Sequence, residues 1–488
     1  MRSRRAGAPR AIALGVALML GASSAIAAPT SQPTSQPASS PVQHAGRSIQ
    51  PTSRPVQHTA ASVAGAPRPD ESSGRRRAPA TTTANTLRWI PRVLFFVPRW
   101  ALTAVFLPMR GLSYLWDRYQ IGEQLTDIFF NDERTFGIYP VVEIQTGFGA
   151  NVGAGMVYRN IFGRDERFAA RASFGGRYLQ HYAADLVSGK RWLPLHLTLY
   201  GGYHVGNNER FYGFGNGDEA RIDGVARDAL LRGPAFGARY RYDRGTVGVT
   251  AALRLMPRVS LRLGTRLTRQ TFFDENASVS GDEAIERVFE PQTLVGFERD
   301  LANLDSSVEL RIDARTRASI YVPPAMYSSG PFLSAKLSYV EGFGPDPSNY
   351  VRYLLDASYT FDLFQGTRTL ELRLRLEGVS AELERLPFSD APQLGGGQLL
   401  RGYLPGRFRD RVALLGSVQY RFTVTHHVLA YLFVDSGRVY DDISSVSFRQ
   451  LRVGFGGGLV VHRFIEGFAL TAQLAGTPDG DVRFDLQF

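Results

Sequence analysis

The stretch VRYLLDASYTFDL (351–363) sets Val351, Tyr353, Leu355, Ala357, Tyr359, Phe361 and Leu363 on one side of an extended chain, with Arg352, Asp356, Ser358, Thr360 and Asp362 on the other. Side chains of a strand alternate between two faces, so this segment reads as a strand with one apolar and one ionic face. The rhythm repeats on both sides of it. Leu370, Leu372, Leu374 and Leu376 alternate with Glu371, Arg373, Arg375 and Glu377, and Val308, Leu310 and Ile312 with Glu309, Arg311 and Asp313. Val482, Phe484, Leu486 and Phe488 finish the chain in the same way. A water-soluble sandwich also alternates, but from Ile138 to Phe488 the period of two persists without a convincing helical stretch, a long run for one sandwich. At about 22 residues per strand plus connection, that length holds roughly 16 strands, an even number as in bacterial outer-membrane barrels. Strands of roughly 10 to 14 residues cross a bilayer when tilted. A sheet with a greasy exterior in hydrocarbon has to close, because no water is there to pair its edge. The expected fold is all-β, a transmembrane antiparallel barrel of about 16 strands with Glu, Asp and Arg lining its lumen.

The composition of the 488 residues agrees with that reading and excludes others. There is no Cys, which removes disulfide scaffolds and thiolate metal sites. No run of about 18 uncharged apolar residues suggests a membrane helix, whereas 31 Phe and 21 Tyr favour strands. The net charge of +11 is concentrated near the start of the chain. Arg2, Arg4, Arg5 and Arg10 precede the apolar stretch Ala11 to Gly21, and Ala25-Ile26-Ala27 has the small-x-small cleavage pattern, so residues 1–27 read as a signal peptide. Residues 28–85, as in TSQPTSQPASSP (30–41), hold six Arg against Asp70 and Glu71 and almost no large apolar group. They read as a disordered Pro/Ser/Thr-rich linker with a duplicated PVQH unit at Pro41 and Pro55. The barrel region is nearly neutral, which removes the electrostatic reason for a nucleic-acid partner.

Residues 86–137 differ again. Trp89, Trp100 and Trp116 are interleaved with Arg88, Arg92, Arg99, Arg110 and Arg118, and Pro91, Pro98 and Pro108 interrupt any long helix. Short amphipathic helices in a membrane interface, Trp at headgroup depth and Arg toward phosphate, suit this composition. A helix packed on or inside the following domain suits it equally. The barrel proper is assigned to residues 138–488.

One long connection, PQLGGGQLLRGYLPGRFRD (392–410), carries Leu400-Arg401-Gly402-Tyr403. It resembles the lumen-entering sixth loop of the bacterial surface antigen superfamily, the barrels of outer-membrane assembly factors and two-partner secretion transporters. The resemblance implies that Arg401 pairs with an acid on the inner wall. FVDSG (433–437) is similar to the family's wall motif, with Phe433 and Asp435 in the positions that matter. Independently, alternation puts Phe433 and Asp435 on the face opposite Leu432 and Val434, toward the lumen. Five strands are expected after the loop, at about 411–424, 427–440, 448–462, 466–477 and 481–488, the number the family has there. YPVVEIQTGFGANVGAGMVYRNIFGRDERF (139–168), RFYGFGN (210–216) and LRVGFGGGL (451–459) also resemble surface-antigen segments. Phe488 at the end of an alternating strand resembles the signal read by the barrel-assembly machinery during biogenesis.

What the resemblance implies is a loop latch of Arg401 on Asp435 and a barrel that handles protein. Gly147, Gly149, Gly153 and Gly155 are expected to weaken the first strand where it meets Phe484, Leu486 and Phe488, making a lateral seam able to open; relief of crowding in a curved sheet is the competing reading. Assembly and secretion members carry periplasmic polypeptide-transport-associated (POTRA) domains of βααββ order. Residues 86–137 are too short for one and wrongly patterned, so a barrel-only member is expected. No G-x-S-x-G elbow, P-loop or H-E-x-x-H is present, and no metal, cofactor or enzymatic activity is implied. His426-His427, at a strand start, reads as ordinary turn residues. The expected function is outer-membrane protein insertion or translocation in the bacterial outer membrane. Its partners would be membrane lipid and unfolded outer-membrane or secreted proteins. The alternative is a gated channel or lipid-handling barrel.

Overall fold

In the computed structural model, the residues described are 107–488 apart from 146–148, 177–178, 218–236, 275–283, 298–299, 317–328, 344–346, 365, 426, 463–468 and 488. Trp89, Trp100, Gly147, His426, Phe488, the signal peptide and the linker lie outside them. The strands are β1 (Phe136–Gln145), β2 (Gly149–Arg159), β3 (Arg167–Phe174), β4 (Gln180–Val187), β5 (Leu195–Phe211), β6 (Ala238–Met256), β7 (Val259–Asp274), β8 (Leu301–Asp313) and β9 (Gly330–Phe343). They continue as β10 (Tyr350–Asp362), β11 (Arg368–Val379), β12 (Gln393–Leu394), β13 (Phe408–Arg409), β14 (Val412–Thr423), β15 (Val428–Tyr440), β16 (Arg452–His462), β17 (Ala469–Gly476) and β18 (Val482–Gln487). Sixteen of them form one closed antiparallel barrel, each beside its neighbour in sequence; β12 and β13 form a separate hairpin inside the β11–β14 connection.

The inside-outside pattern follows from the alternation. On β11, Leu372 and Leu374 are exposed on the outside while Glu371 is 7% exposed inside. Leu355 and Tyr359 on β10 and Leu432 and Val434 on β15 likewise face outward. The inner wall from β7 to β11 and on to β14 is crossed by ion pairs between strands: Arg266 to Asp305 at 2.6 Å, Arg373 to Asp356, Arg375 to Asp356 at 3.6 Å and Arg421 to Glu371. Bringing opposite charges together on a partly buried inner wall offsets what each would cost alone.

Strand lengths depart from the expected 10 to 14 residues. β5, β6 and β7 are 17, 19 and 16 residues, and β18 is six. The excess of β5–β7 lies at the end of the barrel away from the chain's N-terminal helices, the far end. There Phe211, Tyr240, Phe272 and Phe388 stack, with Phe272 4.8 Å from Phe388, and pack with Phe289 and Phe297 of the β7–β8 connection and with Leu386 into one buried cluster. That aromatic mass packs the extensions of β5–β7 against the two connections and gives those strands a reason to run on.

At the near end, helices Leu107–Arg118 and Ile121–Phe129 precede β1. Asp117 Oδ1 lies 2.7 Å from His427 Nε2 in the β14–β15 turn, and Phe130 bridges to Gly137 at the foot of β1. Only twelve residues separate Asp117 from Phe130. The helices therefore run from the β14–β15 turn to β1.

Candidate functional site

The long connection 380–411 begins at the far end and turns inward. Its β12–β13 hairpin pairs Gln393 with Arg409 and Leu394 with Phe408, and Tyr403 packs edge-on against Phe408 at 5.0 Å. Leu394, Leu400, Tyr403 and Phe408 form a small buried core with Ala413 and Leu415 of β14 and Val439 of β15. The loop thus has its own apolar reason to lie against the wall.

At the tip of the connection the backbone reverses sharply. Leu400 has φ +57 and Gly402 φ +102. The left-handed region disfavours a leucine by about 1 kcal/mol, and full burial of its side chain offsets that cost. The reversal aims Arg401 at β15. Its Nε is 2.7 Å and its Nη2 2.6 Å from the two carboxylate oxygens of Asp435, and its backbone N–H donates to Oδ2 at 3.0 Å. Nη1 donates to Gln419 Oε1 and Nη2 to Ser417 Oγ, both at 3.1 Å, and the guanidinium lies 3.5 Å from the centre of the Phe433 ring. Ser417 also donates to Asp435 Oδ1 at 2.6 Å. Asp435 is 1% exposed and Arg401 8%. A planar guanidinium offers five donors in a fixed fork, and this pocket uses its three nitrogens and one face.

The wall is shaped to admit the tip. A Cβ on Gly454 of β16 would sit 1.7 Å from the Arg401 carbonyl oxygen, and one on Gly402 would sit 2.6 Å from the Gly476 carbonyl oxygen. Arg483 of β18 donates to the Gly402 carbonyl at 2.9 Å, and Gln473 of β17 to that of Gly397 at 3.2 Å. The structure brings Leu400, Arg401, Gly402, Tyr403, Phe433 and Asp435 together. Ser417, Gln419, Gly454, Gln473 and Arg483 join them, and these the sequence did not disclose. Gly454 was inside a quoted Gly-rich segment, but its partner was not legible.

The glycines assigned to the seam are elsewhere. Gly149, Gly153 and Gly155 belong to β2, which pairs with β1 and β3 and not with β18. A Cβ on Gly155 would strike the Tyr139 ring at 2.1 Å, and one on Gly153 the Ala172 carbonyl oxygen at 1.9 Å. These two glycines relieve crowding, one strand in from the closure. Among the described residues, the seam joins β1 to β18 at Ile144 with Leu486 and at Gln145 with Asp485. Leu486 is thus at the seam, and Phe484 is on the same strand. Of the interfacial tryptophans, Trp116 is half-buried on helix Leu107–Arg118.

Residues 160–463 match the Omp85 superfamily domain. The chain belongs to the Omp85 superfamily. Among solved structures, this Omp85 barrel is similar to BamA from Haemophilus ducreyi lacking POTRA domains 1–3, at 14% identity and a TM-score of 0.50, covering 72% of this chain and 70% of that one. CdiB from Acinetobacter baumannii (13% identity, TM-score 0.43) and CdiB from Escherichia coli (12%, 0.44) also match over 72% of this chain. They do so over 59% and 62% of their own lengths. At such identities the likeness is one of fold. No curated protein matches the sequence.

Proposed function

We propose that this Omp85 barrel sits in the bacterial outer membrane and inserts or translocates protein through its lumen and the β1–β18 seam, without enzymatic chemistry. The observation that carries the reading is the lumen loop seated on the inner wall by Arg401 and Asp435, in a barrel that closes by bringing its first and last strands together. The edges of β1 and β18 are joined by no covalent turn of their own, so they are the place where the ring can part and receive an incoming strand. The near end, where both helices lie, is then periplasmic. Helix Leu107–Arg118, with Leu107, Tyr114 and Leu115 exposed, suits a place at the membrane interface. Unfolded outer-membrane or secreted proteins are the substrates that this chemistry fits, with membrane lipid around the barrel.

Arg401 and Asp435 act in this reading as the latch that keeps the loop in the lumen. A census of outer-membrane proteins after depletion tests the function: other barrels should fall, and unchanged levels overturn it. A gated channel is the second reading, favoured by the ion-paired inner wall. The depletion census separates them, because Arg401→Ala should raise leak in planar bilayers in either case, whereas depletion alters barrel levels only in the first.

A further inference from the structure

The segment RFYGFGN has no part in the reading above, yet Asn216, at its end, is 7% exposed and placed with unusual specificity. Its Nδ2 donates to the Val439 carbonyl at 3.0 Å and its Oδ1 accepts from the Val439 N–H at 3.1 Å. Val439 pairs with Ala413 of β14 on one side, and the β15–β16 ladder ends at Gly437 with Arg452 on the other. The carboxamide therefore stands where a further residue of β16 would stand, one donor and one acceptor replacing a peptide group. The same segment makes an antiparallel bridge, Gly215 N–H to the Arg409 carbonyl at 2.6 Å, on the β12–β13 hairpin of the lumen loop. Arg452 Nη2 donates to the Asn216 carbonyl at 3.2 Å.

The strap thus grips both partners of the Arg401 site. It holds the loop through Arg409 and the wall strand through Val439, four residues beyond Asp435 and on the same inward face. We infer that Asn216 is a positioning residue: residues 211–217 form a second clasp that seats the loop hairpin at the far mouth, so that release of the loop requires both Asn216–Val439 and Arg401–Asp435 to part. This rests on the reading that the loop is held in the lumen and adds to it a second element that controls loop release.

The test uses the full chain in lipid vesicles, with folding checked by heat-modifiable mobility on gels. Trypsin cleavage after Arg407 or Arg409 reports the hairpin, and bilayer conductance reports the open lumen. Asn216→Ala and Asn216→Asp should each speed cleavage about tenfold. The carboxylate lacks the donor and faces the Val439 carbonyl, so Asp cannot substitute. The double variant Asn216→Ala with Arg401→Ala should conduct more than either single variant. Wild-type cleavage in folded Asn216→Asp, or a double variant no leakier than an Arg401→Ala variant that itself leaks, overturns the clasp. Faster cleavage with no rise in conductance in any variant leaves the clasp standing and overturns the latch reading instead.

Discussion

Arg401 and Asp435 show how a single ion pair can organise a loop of some thirty residues. Removing one partner strands the other in a nearly dry pocket, at a cost on the order of 3 kcal/mol. Lysine does not rescue it, because a point charge cannot make the fork to Asp435 and also reach Ser417 and Gln419. Gly454 gives a sharper prediction than either charge. Its added Cβ would meet backbone, which no rotamer change relieves, so Gly454→Ala should expel the tip and reproduce Arg401→Ala in trypsin cleavage of the loop. Wild-type resistance in that variant would contradict the packing. A different residue governs acid behaviour at the near end. Burial would push the Glu166 carboxyl up, but N–H groups of Arg164 and Phe162 and the Arg191 guanidinium outweigh it and hold it at about 2, below its ordinary 4.5. A depressed carboxylate stabilises the fold above its unfolded value and ceases to do so as pH falls through its folded one. The melting difference between wild type and Glu166→Gln should be constant above about pH 5 and shrink toward pH 2. A difference independent of pH would rule the carboxylate out.

At the level of elements, parity was readable and pairing was not. Leu372 against Glu371, or Val434 against Asp435, fixes which face is wet, and repetition of that rhythm gave the five strands after the loop. Where a hairpin turns is written only weakly. The run from Tyr139 to Arg159 alternates throughout, so nothing in it announced that Gln145 pairs with Gly149 and that Gly153 and Gly155 lie on the second strand. Cross-strand partners such as Ser417 and Gln419 depend on a register set by the whole closed sheet. Likewise His427, read as a turn residue, meets Asp117 from 310 positions away. The seam and the helices can be tested together. Cysteines at Ile144 and Leu486, paired across the seam, should form a disulfide that blocks insertion and spares conductance, with reductant restoring activity. Full activity in the oxidised form would exclude lateral opening. Because the helices run from the β14–β15 turn to β1, Asp117→Ala should raise the rate at which seam cysteines react with maleimide; an unchanged rate would show that the helices do not brace it.

For the molecule as a whole, the apolar exterior and ionic interior are one design, and they make opposite demands at neighbouring positions. Leu374 is exposed on the outside near the middle of β11, whereas Arg373 beside it donates inward to Asp356 at 2.9 Å. If the exterior contacts hydrocarbon, Leu374→Arg places a charge near the bilayer midplane, worth about 2–4 kcal/mol, while the same change at Leu255, near the near-end edge of β6, costs about 0–1 kcal/mol. In water neither position should distinguish leucine from arginine by that much, since both are already exposed. Urea unfolding in vesicles reads the difference directly: Leu374→Arg should lower the midpoint well below that of Leu255→Arg. The dependence on depth is the informative quantity, because a general loss of packing would affect the two sites alike. Equal midpoints for the two variants would mean that the outer surface does not face a membrane, and the seam, the lumen loop and its clasp would then need another purpose.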